Sequence, residues 1–122
     1  MRTIAFSLFL AASICTADIR IDRYQAVPMR DGVKLYADVY RPRADGKYPV
    51  IIVRTPYGVQ RESAGIHDNL PRFAAAGYAV VIQDVRGRYE SEGAWDPFRF
   101  EAKDGHDTIQ WAAKQPWSNG KV

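Results

Sequence analysis

The sequence predicts an α/β fold in which an antiparallel hairpin is followed by parallel strands joined through crossover helices. Three observations predict it. Residues 21–41 form two extended runs around the turn Arg30-Asp31-Gly32. Pro49-Val50-Ile51-Ile52-Val53 and Tyr78-Ala79-Val80-Val81-Ile82 are apolar without alternation, the pattern of strands covered on both faces. Helical patterns follow each of these runs, so the connections are β-α-β crossovers, for which the right-handed form is the rule.

Each element has its own reason. Ile21 to Met29 carries extended-type residues up to the turn. Val33, Leu35, Ala37 and Val39 then alternate with Lys34, Tyr36, Asp38 and Tyr40, which predicts a half-buried second strand ending at Pro42. Arg43 to Lys47 is a polar loop. Between the two apolar strands a short helix is predicted over 69–76, with Asp68 as its cap, Pro71 in its first turn and Gly77 at C′. Residues 84–96 read as a charged, glycine-punctuated loop. A second helix is predicted over 101–114, with Ala102, Gly105, Ile109, Ala112 and Ala113 turned inward. Its acids Glu101, Asp104 and Asp107 suit the positive end of the helix dipole. Pro116 stops it, and Asn119-Gly120 turns the chain.

Composition narrows the classes. Of 122 residues, 47% are hydrophobic and 25% charged, which excludes collagen-like, coiled-coil and disordered chains and leaves room for one domain. Lys and Arg number 17 against 14 Asp and Glu. This small positive balance is spread along the chain, and nucleic acid is not expected as a partner. The run Ile4 to Ile14 is uncharged but too short to span a bilayer. Following Arg2 and preceding Cys15-Thr16-Ala17, it reads as a secretory signal cut after Ala17, so residues 18–122 are the mature domain and the protein is expected to be periplasmic or secreted. Lipidation of Cys15 is the alternative. Cys15 is the sole cysteine, so the mature chain is expected to hold no disulfide and no cysteine metal site.

Several residues carry possible chemistry. Asp84, Arg86 and Arg88 follow the second apolar strand; a salt-bridge network fixing the loop is the expected role, with substrate contact the alternative. His67 and His106 each precede an aspartate, but neighbours on a helix diverge, and neither is assigned as a base. Ser91 lies between Glu90 and Glu92, which disfavour an alkoxide; neither it nor Ser118 is assigned as a nucleophile. Trp111 and Trp117 are expected to pack.

Five phrases, in order, resemble one family. Val27-Pro28-Met29-Arg30-Asp31-Gly32-Val33-Lys34-Leu35 with Asp38-Val39-Tyr40-Arg41-Pro42 is similar to the opening hairpin of the X-Pro dipeptidyl-peptidase-like hydrolases, which include cocaine-esterase-like and acylase members. Arg54-Thr55-Pro56-Tyr57-Gly58 follows, then Asp84-Val85-Arg86-Gly87-Arg88 with Ser91-Glu92-Gly93. Asp107 to Trp111 leads to Gln115-Pro116-Trp117-Ser118-Asn119-Gly120-Lys121-Val122.

The resemblance implies an α/β-hydrolase with a Ser-Asp-His triad that cleaves a small-molecule or peptide ester or amide. It implies no metal and no organic cofactor. It implies that Tyr57 supplies an oxyanion-hole hydroxyl; a tyrosine merely packed at the strand end is the other reading of that position. In the family the phrase ending at Val122 leads into a Gly-x-Ser-x-Gly nucleophile elbow. No such motif occurs in the 122 residues, and in the family the triad aspartate and histidine lie further on still, so the resemblance implies that the nucleophile, acid and base are absent from this chain. It is expected to be the N-terminal portion of a longer enzyme, inactive by itself; a secreted non-catalytic binding module is the alternative.

Overall fold

A computed structural model describes residues 18–60 and 66–122, with the side chains of residues 66 and 67 left out. The expected leader and cleavage site, Cys15 and the His67 side chain therefore lie outside the described residues. The chain runs β1 (Ile19–Pro28), β2 (Lys34–Pro42), β3 (Val50–Thr55), α1 (Ile66–Ala75), β4 (Ala79–Asp84) and α2 (Glu101–Ala113). One mixed sheet has the order β1-β2-β4-β3. The hairpin β1–β2 is antiparallel, β2 pairs antiparallel with β4, and β3 pairs parallel with β4. The hairpin, both apolar strands and both helices of the sequence reading are present.

Alternation sorts the side chains onto two faces. Val27, Leu35, Ala37, Val39, Val50, Ala79 and Val81 pack with Ala112 of α2, and Trp111 and Trp117 lie against them. The two indoles meet edge to face at 6.1 Å, so both are packing residues as expected. On the other face Tyr40, Val80 and Ile82 pack with Leu70 and Ala74 of α1. Every residue of β4 is buried, as a central strand with a helix on each side requires.

Four details correct the sequence reading. First, β2 alternates between exposed and buried only at its start: Ala37, Asp38, Val39 and Tyr40 are all buried, because β2 lies between two strands and α1 covers the Tyr40 side. Asp38 holds a bulge in β1 there, accepting from Arg23 Nη1 at 2.8 Å and from the Tyr24 N–H at 3.0 Å.

Second, Ile51, Ile52 and Val53 of β3 are only half-buried. Among the described strands β3 pairs with β4 alone. Its outer side is met at the start by backbone from the C-terminal residues, as the Tyr48 N–H donates to Trp117 O and the Val50 N–H to Lys121 O.

Third, α1 begins at Ile66, so Asp68 sits inside the first turn and is not the cap. Its end is as predicted. The Gly77 N–H reaches Ala74 O, the Tyr78 N–H reaches Phe73 O, and the Phe73 and Tyr78 rings close the motif edge to face at 6.4 Å.

Fourth, the inward stripe of α2 is Asp104, Thr108 and Ala112, while Ile109 is exposed. Apolar residues were expected inside; the polar ones win because buried partners await them, as described next.

Candidate active site at the C-terminal rim of the parallel strands

Thr55 ends β3 and Asp84 ends β4, and the two are register partners. Beyond them the chains diverge into loops at the carboxyl end of parallel strands, the place where α/β sheets form their ligand crevices. The Val85 N–H donates to Thr55 O, so the divergence starts from one fixed point.

The first loop carries Tyr57. Its backbone N–H donates to Thr55 Oγ1 at 3.1 Å, and the carbonyl of Pro56 accepts from Arg88 Nε at 3.0 Å. Two residues on, the Val59 N–H donates to Asp84 Oδ1 at 2.8 Å. Gly58 has φ +97, and the Tyr89 ring lies 3.0 Å from where its Cβ would be. Only glycine suits that position, since a side chain would meet both the backbone preference and the ring. The Tyr57 backbone is thus held on several sides while the residue as a whole is 68% exposed.

The second loop, after β4, holds the two arginines of the Asp-Val-Arg-Gly-Arg phrase, and the structure treats them differently. Arg86 is buried. It donates to both oxygens of Asp104 on α2 at 2.8 and 2.7 Å and to both of Asp31 in the hairpin turn at 2.8 and 3.2 Å, and its guanidinium lies 4.8 Å from the Phe100 ring centre. These hydrogen bonds raise its already high pKa and hold the exposed Asp31 carboxyl below its ordinary value. Arg86 is the loop anchor that the sequence reading expected. Gly87, at φ +71, is the hinge: a Cβ there would come within 2.2 Å of the Trp95 backbone nitrogen.

The other sequence candidates take structural positions. Asp84 is buried, and burial first, then the Glu90 and Asp38 charges, push its pKa up. Ser91 is buried with its hydroxyl donating to Asp84 O at 2.6 Å and accepting from the Tyr36 N–H at 2.9 Å. Ser118 Oγ accepts from the Gly120 N–H. His106 is exposed, and Asp107 turns to Arg30, which holds it down to about 2 through side-chain and backbone hydrogen bonds.

Between the two loops and the start of α2 lies a cleft of about 450 Å³, within the range of small-molecule sites. Tyr57, Arg54, Arg88, Glu101, Trp95 and Phe98 line it, with Pro56, Val85 and Pro97. Arg54 Nη1 donates to the Glu101 carboxylate and its Nε to Gln83 Oε1, which also accepts from Thr108. The sequence reading missed Glu101, Trp95 and Phe98 as cleft residues. Its one available signal was the run Glu101, Asp104, Thr108, polar at helical spacing on one face.

Comparison with known proteins agrees with this architecture. The sequence pattern of the X-Pro dipeptidyl-peptidase (S15) family matches residues 31–122. A cocaine esterase from Rhodococcus sp. (strain MB1 Bresler) is 47% identical over 98 residues, 79% of this chain and 17% of that protein. The crystal structure of a CocE/NonD family hydrolase from Staphylococcus aureus superposes with a TM-score of 0.73 at 32% identity, covering 82% of this chain and 21% of that one. An α-amino acid ester hydrolase gives a TM-score of 0.70 at 34% identity, covering 95% and 22%. The chain therefore spans less than a quarter of the length of each of these relatives. By its sequence pattern and its fold, the chain belongs to the X-Pro dipeptidyl-peptidase (S15) family.

Proposed function

We propose that this chain forms the front part of an exported serine hydrolase that cleaves an ester or amide bond through an acyl-serine intermediate, with Tyr57 as an oxyanion-hole donor. One observation carries the reading: Tyr57 lies on the wall of the cleft at the strand rim, its backbone fixed by Thr55 and Arg88 and its side chain free. A phenol placed so costs no rearrangement when charge develops beside it. Family membership supports the reaction class, and two of the relatives are by name an esterase and an ester hydrolase.

In the reaction, a serine oxygen adds to the substrate carbonyl and the C=O π pair moves onto the carbonyl oxygen. Tyr57 O–H donates a hydrogen bond to that oxygen. The base that took the serine proton during attack gives it to the leaving group as the tetrahedral intermediate collapses and expels the alcohol or amine, and water repeats the sequence on the acyl-serine. The serine, its base and its acid come from sequence beyond these 122 residues, which contain no Gly-x-Ser-x-Gly. The uncharged run Ile4 to Ile14 after Arg2 supports export, with a mature start expected at Asp18 that N-terminal sequencing of periplasmic material reads directly.

The test is Tyr57→Phe in the enzyme carrying its nucleophile elbow, assayed on an activated ester. Loss of one oxyanion donor is expected to lower kcat on the order of 10²–10³ with little change in KM. Because the side chain is exposed, the melting temperature should hold. An unchanged kcat would reduce Tyr57 to a strand-end residue.

A further inference from the structure

We infer that Arg88 is an anion-recognition residue of the Tyr57 cleft, and that the bond-bearing substrate presents a carboxylate to it. The inference rests on the proposed reading that the cleft receives the substrate, and it adds the substrate's charge.

The argument starts from pairing. The other arginines of the described sheet and loops each hold a carboxylate, from Arg20 on Asp22 to Arg99 on Asp96. Arg72, on the exposed side of α1, and Arg88 do not, among the described residues. Arg72 stands in open solvent, where an unpaired cation costs nothing. Arg88 is half-buried and lines a cleft. Within that cleft Arg54 and Glu101 neutralise one another, which leaves Arg88 as the uncompensated charge.

Its presentation is also fixed. Nε is spent on the Pro56 carbonyl, and the guanidinium lies 5.2 Å from the Tyr89 ring centre and 5.3 Å from that of Trp95. Cation–π contacts hold the plane without neutralising the charge. Neither Nη atom has a hydrogen bond among the described residues, so two parallel N–H donors are left, the geometry that suits a carboxylate. Tyr89 has φ 47, an uncommon conformation for a non-glycine residue, and it puts its ring both on Gly58 and beside Arg88. The same side chain that carries the free fork therefore also braces the peptide before Tyr57.

The experiment compares N-benzoylglycine with its primary amide, which share an aromatic ring for the Trp95 and Phe98 wall and differ in charge. Titrations of the purified protein follow the Arg88 Nε–Hε and Trp95 indole N–H resonances by NMR. The acid is expected to bind about tenfold tighter or more than the amide and to shift the Arg88 resonance, which the amide leaves in place. Arg88→Gln should bring the ratio to about one. Arg88→Lys, which keeps the charge and loses the fork, should leave a reduced preference for the acid. Equal binding of the two probes by the wild type, no binding of either at millimolar concentration, or a preference that survives in Arg88→Gln would overturn the assignment. The wild-type Arg88 resonance needs no variant, so poor folding of Arg88→Gln leaves the test intact. Affinity ratios read Arg88, whereas kcat in Tyr57→Phe reads the oxyanion donor; either can fail while the other stands.

Discussion

Arg86 and Arg88 stand two residues apart in one loop, and the fold uses them in opposite ways. Arg86 is buried, meets two carboxylates and ties the hairpin turn to α2. Arg88 is half-buried, meets a carbonyl and two ring faces, and leaves its outer donors on the cleft. The difference follows from the strand before them. Side chains at the end of β4 alternate between faces, so Gln83 turns to the α2 side and Asp84 to the α1 side. Beyond Val85 the chain bends at Gly87, and the bend sends Arg88 to the rim. Position relative to the glycine decides which cation builds the scaffold and which faces solvent and ligand.

Breaking the anchor should have the largest effect. Arg86→Met leaves Asp104, 2% exposed, as a buried charge without its partner, a loss of about 3–5 kcal/mol by chemical denaturation. Adding Asp104→Leu should recover much of it, because the apolar pair removes the stranded charge.

A smaller loss is expected one turn further along the loop. Ser91→Ala removes the hydroxyl shared by Asp84 O and the Tyr36 N–H, leaving two backbone groups unmet for about 1–3 kcal/mol. Exchange of the Tyr36 amide proton should rise with it.

Acid sharpens the comparison by titrating the anchoring carboxylates. Asp31 and Asp107 are held below the ordinary 3.8, Asp107 at about 2. A depressed acid contributes stability that is present above its ordinary pKa and lost as pH falls through the folded value. The melting temperature should therefore decline from about pH 4 toward pH 2, and Asp107→Asn should flatten part of that decline. Asp84, raised by burial, acts with opposite sign: its contribution is present at low pH and lost as pH rises through its folded pKa. Asp84→Asn keeps an acceptor for the Val59 N–H and should remove that component.

The contrast between the arginines also measures what was legible beforehand. Strands and helices were, because periods of 2 and 3.6 and the turn at Arg30-Asp31-Gly32 are local signals. The motif phrases led to the family for the same reason. The inner face of α2 was not legible, since Asp104 and Thr108 are buried only because Arg86 and Gln83 come from a distant strand and loop to meet them. Half-burial of β3 was hidden likewise: its composition is that of a central strand, and neighbours, not composition, set exposure. Arg86 and Arg88 look alike as letters; only their partners separate them.

The central claim, that one arginine of this loop holds the fold and the other serves the cleft, is tested most directly by chemical denaturation of Arg86→Met and Arg88→Met side by side with the wild type. Arg88→Met should lose only about 1–2 kcal/mol, the worth of one half-buried hydrogen bond and two ring contacts, and Arg86→Met about 3–5 kcal/mol. An equal loss in the two variants, or a larger one in Arg88→Met, would contradict the division.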